Sequence, residues 1–89
     1  MTPWKLVVAT SSERGLDRIP PKLASAIVEF MVGPVIDNPH RVGKPPLREL
    51  GGYFVARRGA YRIIYRINEE ARTVEVVRID HRSHAYRSR

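Results

Sequence analysis

The stretch YRIIYRI at residues 61–67 constrains the fold more than any other part of the chain. Its side chains alternate with a period of two, and β-branched and aromatic residues predominate, which predicts a β-strand. One face of this strand is apolar and aromatic, with Tyr61, Ile63, Tyr65 and Ile67. The other face carries Arg62 and Arg66 on either side of Ile64. We therefore predict a central strand that covers a core on one face and presents cations on the other.

A tight turn joins this strand to the segment before it. Gly59-Ala60 places a glycine where a two-residue β-hairpin requires positive φ. The resulting register pairs Arg58 with Tyr61, Arg57 with Arg62, Ala56 with Ile63, and Phe54 with Tyr65. Like charges directly opposite each other destabilise a sheet. The Arg57–Arg62 pair therefore predicts that an anion binds between the two side chains.

Composition sets the size and the class of partner. The 89 residues, 43% of them hydrophobic, predict one domain over residues 1–89 with a modest core. The absence of cysteine excludes disulfides and thiolate metal sites, and the absence of a long apolar run predicts a cytoplasmic protein without a membrane span or signal peptide. A net charge of +7 predicts a polyanionic partner, and the excess of 13 arginines over 3 lysines favours nucleic acid.

The N-terminal half predicts one strand followed by a helical hairpin. Residues 4–9 (WKLVVA) are apolar enough for a largely buried strand. Thr10 and Glu13 predict a capping box at the start of a short helix. The second helix begins at Pro21 and breaks or kinks at Gly33-Pro34. We expect the inward-facing residues of the two helices to be Leu16, Ile19, Leu23, Ala26, Ile27, Phe30 and Met31.

The C-terminal half predicts a loop followed by three antiparallel strands. The loop covers residues 38–52 and is pinned to the core by Leu47 and Leu50. Its basic residues are Arg41, Lys44 and Arg48, for which simple solvation is an equally good interpretation. The strands cover residues 53–58, 61–68 and 73–80. The predicted fold class is thus α+β: an N-terminal strand, a helical hairpin and a three-stranded antiparallel meander, which together form a four-stranded sheet with the helices on one face.

The last strand decides which cations share the uncovered face. We predict that Val77 and Ile79 face the core, which puts Val74 and Val76 on the opposite face. The same alternation gives that opposite face Arg57, Arg62, Arg66, Arg78 and Arg82. Residues 83–89 predict a short, loosely held tail.

The residues that could carry chemistry are basic or aromatic. The histidines His40, His81 and His84 match no strong zinc motif, and no glycine-rich phosphate loop precedes a helix, so we expect neither a metal nor a cofactor. What remains is a group of Arg57, Arg62, Arg82, His81 and Tyr86. Arginines can hold a scissile RNA phosphate while an imidazole or a phenol moves protons, and the 2′-hydroxyl of the RNA supplies the nucleophile. An ordinary surface histidine and a packing tyrosine are the alternative interpretation.

Several segments resemble the RelE toxins of bacterial toxin–antitoxin pairs. The specific ones are GAYRIIY at residues 59–65 and His81-Arg82 followed by Tyr86; NPHRVGKP at residues 38–45 and LRELGG at residues 47–52 also match. The resemblance covers nearly the whole chain. It implies a four-stranded antiparallel sheet behind a helical hairpin. It also implies a metal-independent endoribonuclease that cuts mRNA in the ribosomal A site, inhibits translation and is neutralised by a RelB-like antitoxin.

The resemblance also implies roles for individual residues. Arg62 matches the phosphate-binding arginine of the central strand, Arg82 the second catalytic arginine, and Tyr86 the tyrosine that stacks on a base or assists proton transfer. Arg57 matches a basic residue of the preceding strand. Val55 stands where some relatives carry a second basic residue, which leaves the identity of the general base open.

From these arguments we expect a catalytic group of Arg62, Arg82, Tyr86 and His81. The residues expected to bind RNA or the ribosome are Lys44, Arg48, Arg57, Arg66 and Arg78. The expected protein partner is an acidic, largely helical antitoxin. Two alternatives stay open: a DNA gyrase inhibitor of the ParE branch, which shares the fold without the catalytic residues, and a non-catalytic binding module.

Overall fold

The fold is a four-stranded sheet with helices on one face, in a computed structural model that describes residues 4–44 and 52–81. In chain order the elements are β1 (Lys5–Val8), α1 (Thr10–Asp17), α2 (Pro21–Phe30), a π-helical turn (Met31–Val35), α3 (Pro39–Val42), β2 (Tyr53–Arg58), β3 (Tyr61–Asn68) and β4 (Thr73–His81). The strand order is β1-β4-β3-β2. The predicted α+β class is confirmed. No helix among the described residues is long and apolar enough to cross a membrane.

The β2–β3 hairpin has the register that the sequence predicts. Arg57 lies opposite Arg62, and Gly59 in the turn has a φ of 62°, the left-handed conformation that favours glycine. Ile63 and Tyr65 of β3 are completely buried, so the apolar face of this strand meets the core. The hairpin was predictable because turn chemistry and side-chain alternation both act over a few residues.

The pairing of β3 with β4 contains a bulge. Ile64 lies opposite Arg78, but the next residue, Tyr65, lies opposite Val76. Val77 is therefore the extra residue of β4. A bulge of this kind interrupts the period of two and moves the residues before it to the other face.

The bulge corrects the predicted faces of β4. Val74 and Val76 are completely buried in the core, whereas Val77 is only partly buried. The prediction that Val77 faces the core, with Val74 and Val76 on the opposite face, is wrong because it assumed uninterrupted alternation. Ile79, which lies beyond the bulge, faces the core as predicted.

β1 pairs with β4 in parallel, with Leu6 opposite Val74. The sheet is therefore mixed, whereas the resemblance implied a fully antiparallel one. A parallel pair requires a long crossover connection, and here the helices and the β2–β3 hairpin lie between the two strands. The edge position leaves Val7 45% exposed, so β1 is not the largely buried strand that its composition predicted.

The start of α1 differs from the predicted capping box. Ala9 is the N-cap residue, and no side chain caps the helix. Thr10 already lies inside the helix, so it cannot form the box with Glu13. Helix α1 is held by the sheet instead of by its own cap.

Two serines attach α1 to the bulge of β4. The hydroxyl of Ser12 is completely buried and donates a 3.0 Å hydrogen bond to the Val76 carbonyl. The hydroxyl of Ser11 donates a 2.9 Å hydrogen bond to the carbonyl of Val77. The Val76 carbonyl also accepts a 2.9 Å hydrogen bond from the Ala9 N–H, so Ser12 adds a second bond there, while Ser11 supplies a donor for Val77 next to the disrupted ladder.

Helix α2 buries a stripe that is rotated from the predicted one. The buried or partly buried positions that pack on the core include Ala24, Ile27, Met31 and Val35, while Leu23 is 48% exposed. The prediction that Leu23 faces the core is wrong. At the predicted break or kink, Gly33-Pro34, the regular α-helix has given way to a π-helical turn that contains Pro34, and the chain is not interrupted. A π-helical turn adds a residue, which accommodates a proline that lacks an N–H donor.

The segment predicted as a loop at residues 38–52 contains ordered structure. Residues of α3 lie in it, and Lys44 forms an antiparallel bridge with Val55 of β2. The bridge has two backbone hydrogen bonds, of 3.0 and 2.9 Å. The contacts predicted for Leu47 and Leu50 lie outside the described residues.

The hydroxyl of Tyr65 connects this segment to the core. It donates a 2.6 Å hydrogen bond to the Pro39 carbonyl. A Cβ at Gly43 would collide with the same hydroxyl, so only glycine allows this approach. Burial raises the pKa of Tyr65 from 10.0 to about 12, and the Gly43 amide partly lowers it. The core hydroxyl therefore stays neutral and holds residues 39–44 against β2.

Replacing Tyr65 with phenylalanine tests this connection. Tyr65→Phe leaves the Pro39 carbonyl without its donor, and we expect a loss of about 1–3 kcal/mol in the free energy of unfolding near neutral pH. The same variant should change the response to alkali. The folded pKa lies above the unfolded one, so this contribution is fully present below about pH 10 and is lost as the pH rises from about 10 to 12.

Urea denaturation between pH 7 and pH 12 measures both effects. We expect the stability of Tyr65→Phe to fall less steeply than that of the wild type above pH 10. Tyr61→Phe, which keeps the core hydroxyl, is the control and should retain the wild-type slope. Equal slopes in Tyr65→Phe and wild type would contradict the assignment.

Candidate nucleic-acid interface

The sheet face opposite the helices carries a set of cations, which we call the basic face: Lys44, Arg57, Arg62, Arg66 and Arg78. Residues directly opposite each other in adjacent strands project to the same side of a sheet. The pairs Arg57–Arg62, Ile64–Arg78 and Lys44–Val55, together with the alternation along β3, place all five cations on one side. The prediction that the four arginines of β2–β4 share a face is confirmed, while Arg82 lies outside the described residues.

The pair Arg57–Arg62 is the centre of the candidate site. Arg57 is exposed, whereas Arg62 is partly buried and its Nε atom is inaccessible to solvent. On its other side Arg62 lies opposite Asp80 of β4. The middle strand therefore holds the Arg62 guanidinium in a more fixed position than a surface side chain, which is the geometry required of a preorganised anion ligand.

Two other arginines of the basic face are engaged by carboxylates of β4. Arg66 Nε lies 2.8 Å from Glu75 Oε1, and Arg78 Nε lies 3.1 Å from Asp80 Oδ2. The hydrogen bond and charge of Glu75 raise the pKa of Arg66. These exposed pairs contribute little to stability. They balance the charges of Arg66 and Arg78 within the basic face.

Lys44 joins the basic face through the tertiary structure rather than through a loop motif. Its bridge to Val55 extends the sheet beyond β2, and its side chain is exposed. The contact of Gly43 with the Tyr65 hydroxyl brings this segment to the sheet. The sequence predicts Lys44 as a binding residue but not its position beside β2. Gly43, immediately before it, is the sequence feature that could have indicated this close approach to the sheet.

His81 lies on the other face of the sheet from Arg62. It pairs with Tyr61, and the two rings meet edge to face at 5.2 Å between centroids. The structure therefore does not bring His81 together with the arginines of the basic face. Arg48, Arg82 and Tyr86 lie outside the described residues, so their predicted roles remain predictions.

A groove at the same end of the sheet was not predicted. It has a volume of about 430 Å³ and is lined by Gly15, Arg18, Ile19, Tyr61, Ile79, Asp80 and His81. Helix α1 supplies one wall and strands β3 and β4 the other. Sequence patterns could not identify it, because residues far apart in the chain form it only after the helices pack on the sheet.

The opposite end of the sheet holds a structural cluster. The ring of His40 packs edge to face against Trp4 and Phe54, and its Nε2 lies 2.6 Å from Glu69 Oε2. The guanidinium of Arg72 lies 4.1 Å from the Trp4 ring centroid. No three His, Asp or Glu side chains are grouped as metal ligands anywhere in residues 4–44 and 52–81. His40 is thus accounted for by packing.

The opposition of Arg57 and Arg62 predicts a measurable repulsion. We expect Arg57→Gln to unfold at equal or slightly higher urea concentration than wild type at low salt, by about 0.2–1 kcal/mol in the free energy of unfolding. The difference should shrink at 1 M salt, where charges are screened beyond about 3 Å. Arg14→Gln, an exposed charge change on α1, serves as the control. A marked, salt-independent destabilisation of Arg57→Gln would contradict this interpretation.

Known proteins share both the sequence and the fold. The family model described as the ParE toxin of the type II toxin–antitoxin system parDE matches residues 6–86. The toxin RelG of Mycobacterium tuberculosis is 47% identical over 85 residues, covering 96% of this chain and 98% of that protein. The toxin RelE of the same organism is 44% identical over 85 residues, covering 96% of this chain and 88% of that protein.

A solved structure agrees with these matches. The crystal structure of the toxin–antitoxin complex RelBE2 from Mycobacterium tuberculosis contains a chain that is 47% identical to this one, with a TM-score of 0.86. The match covers 91% of this chain and 100% of that chain. The parallel β1, the helices on one face and the match over residues 6–86 lead to one conclusion: the chain belongs to the RelE/ParE family of type II toxin–antitoxin toxins.

Proposed function

We propose that this toxin is a ribosome-dependent, metal-independent endoribonuclease that cuts mRNA and thereby inhibits translation. The observation that carries the proposal is the pair Arg57–Arg62 on the uncovered face of the sheet. The two cations lie side by side where a phosphate can reach both. Arginine forms planar, bidentate hydrogen bonds with phosphate oxygens, so this pair suits a phosphodiester.

The reaction requires little covalent chemistry from the protein. The 2′-hydroxyl oxygen of the RNA attacks the adjacent phosphorus, its proton passes to a general base, and the bond from phosphorus to the 5′-oxygen breaks. The leaving 5′-oxygen receives a proton, and the other product ends in a 2′,3′-cyclic phosphate. Arg62 stabilises the additional negative charge on the phosphorane-like transition state, and Arg57 helps to bind the phosphate.

The proton-transfer groups belong to the C-terminal segment in this proposal. Arg82 is the second arginine on the phosphate, and His81 and Tyr86 are the candidates for acid and base. The described structure favours Tyr86 over His81, because the imidazole of His81 packs on Tyr61 at the face opposite Arg62. Lys44, Arg48, Arg66 and Arg78 extend the contact with RNA in both directions from the cut phosphate.

The partner that neutralises the toxin is, in this proposal, a RelB-like antitoxin. The 47% identical chain of known structure comes from a toxin–antitoxin complex, which supports this inference. A net charge of +7 favours an acidic partner. We propose a largely helical protein whose extended segment wraps the domain and covers the basic face or displaces the C-terminal tail. Its carboxylates would speed association and confer specificity more than they raise affinity.

An alternative function is inhibition of DNA gyrase. The matching family model is described as a ParE toxin, which favours this alternative, whereas the relatives at 44–47% identity are named RelE and RelG. A binding module without catalysis is the remaining possibility for this fold. Replacing an arginine of the Arg57–Arg62 pair distinguishes the RNase from the gyrase inhibitor and the binding module, since only an RNase needs this pair for turnover.

Arg62 provides the direct test of catalysis. We expect Arg62→Ala to fold, to bind the antitoxin and to cut mRNA about a hundred- to thousandfold more slowly, because it lacks a charge that acts mainly in the transition state. Arg62→Lys should recover only part of the rate, since an ammonium cannot form the planar fork. The measurement is single-turnover cleavage of mRNA on programmed ribosomes, beside a thermal melt of each protein.

Arg14→Ala is the matched control for this experiment. It removes an exposed arginine from α1, on the other side of the sheet, and should cut mRNA at the wild-type rate. Wild-type cleavage by Arg62→Ala would refute the assignment. Loss of folding in Arg62→Ala that accounts for the lost cleavage would refute it as well.

The dependence of target binding on salt separates ribosome from gyrase. Binding through phosphate contacts releases counterions, so the affinity for programmed ribosomes should fall steeply between 50 and 200 mM salt. We expect mapped mRNA 5′ ends to appear after induction without antitoxin, and plasmid DNA to stay intact. Affinity that is flat with salt, together with trapped cleaved DNA and intact mRNA, would assign the protein to the gyrase inhibitors instead.

A further inference from the structure

The groove at the end of the sheet has the composition of a nucleobase site. Its volume of about 430 Å³ lies within the usual range for small-molecule sites. Tyr61 and His81 supply aromatic surface, with their rings at 87° to each other. Ile19 and Ile79, each 8% exposed, supply an apolar base to the groove. RNA-binding proteins recognise unpaired bases by stacking on such surfaces.

The side chains around the groove suit a base that is attached to a phosphate chain. Asp80 contributes to the lining, but its carboxylate pairs with Arg78 on the basic face, with Oδ2 3.1 Å from Arg78 Nε. Arg18, at the end of α1, is exposed at the groove and can stack on a base or attract the backbone outside it. An aromatic wall, an apolar base and one arginine at the opening therefore fit a planar, uncharged ring attached to an anionic chain.

The groove lies at the same end of the sheet as the arginine pair of the basic face. Asp80 is the strand partner of Arg62, and Tyr61 is its neighbour in sequence. The two positions lie on opposite faces at the same end of the sheet. An RNA strand whose phosphate is held by Arg62 and Arg57 therefore has an adjacent nucleotide at the edge where the groove opens.

We infer that this groove binds the base of a nucleotide next to the cut phosphate, with Tyr61 as the stacking residue and Arg18 at the opening. The inference rests on the proposed RNase function and specifies its substrate recognition. Helix α1 thereby takes part in RNA binding, although it lies on the face of the sheet that the arginines do not occupy. Base identity at that one position would affect the rate of cutting.

A double-mutant cycle between the protein and the RNA tests the inference. Model mRNAs on programmed ribosomes carry an abasic nucleotide on one side or the other of the cut bond. For the wild type we expect one of the two abasic substitutions to slow single-turnover cleavage by roughly tenfold, the order expected for one stacked base. Tyr61→Leu should be slower on the normal mRNA and should lose nothing further with the abasic one.

Conservative variants separate stacking from stability. Tyr61→Phe keeps the aromatic ring and should restore the abasic penalty that Tyr61→Leu loses. Arg18→Gln should reduce the abasic penalty in part, whereas Arg14→Gln, on the same helix outside the groove, should leave it unchanged. If Tyr61→Leu unfolds below the assay temperature, the same cycle with Arg18→Gln in its place tests whether the groove binds the base.

Each outcome favours or overturns the inference. An abasic penalty of the same size in Tyr61→Leu and wild type overturns it, and if that variant also binds the antitoxin more weakly, the groove belongs to a protein partner. If the wild type cuts no mRNA, the RNase proposal fails. In that case NMR titration of the Ile19 and Ile79 methyl groups with a trinucleotide tests separately whether the groove binds a base. Methyl shifts that vanish when the central base is removed support it, and shifts that persist or never appear overturn it.

Discussion

The buried hydroxyl of Tyr65 is the constraint on which one side of the molecule depends. A phenol that is completely buried must find a hydrogen-bond partner, since an unsatisfied one costs about 1–3 kcal/mol. The partner is the Pro39 carbonyl, and the close approach requires a glycine at position 43. This brings Lys44 to β2 and adds its cation to the basic face. A core contact thus sets the width of the basic face.

The bulge at Val77 has a comparable effect on the other side of β3. Under strict alternation, Glu75 and Arg78 would lie on opposite faces of β4. The extra residue places both on the basic face, where Glu75 reaches Arg66 and Arg78 reaches Asp80. It also lets Val74, Val76 and Ile79 all contribute to the core. One inserted residue therefore satisfies the core and balances two of the surface arginines.

The sequence predicted those parts of the fold that short-range rules determine. The β2–β3 hairpin, its register and the opposition of Arg57 and Arg62 follow from a glycine turn and from alternation. The bulge could not be predicted, because Val76 and Val77 are both apolar and either suits a core position. The exposure of Leu23 depends on how α2 rotates against the sheet, which its own periodicity does not determine. The bridge of Lys44 depends on a tyrosine far along the chain.

The candidate site likewise contains residues that short-range rules predict and residues that only the tertiary structure brings together. Arg57 and Arg62 could be predicted because a single hairpin places them opposite each other. Arg66 follows from the alternation along β3, and Arg78 lies opposite Ile64 in the adjacent strand β4. The groove with Tyr61 and Arg18 could not be predicted, because α1 and β3 meet only in the tertiary structure. His81 is predicted in the same group as the arginines because an imidazole can move protons, but it pairs with Tyr61 on the other face of the sheet from Arg62.

The opposition of Arg57 and Arg62 is informative because it departs from the rule that like charges avoid each other across a sheet. Carboxylates of β4 engage Arg66 and Arg78, and a bulge is needed to position one of them. At Arg57 and Arg62 two cations lie directly opposite each other, an arrangement that costs a few tenths of a kcal/mol to about 1 kcal/mol. Natural folds depart from local stability rules mainly at functional positions. In the proposed RNase, two cations fixed before the substrate arrives would need no reorganisation when charge develops on a phosphate, and that gain in the transition state would outweigh a small loss in the free protein.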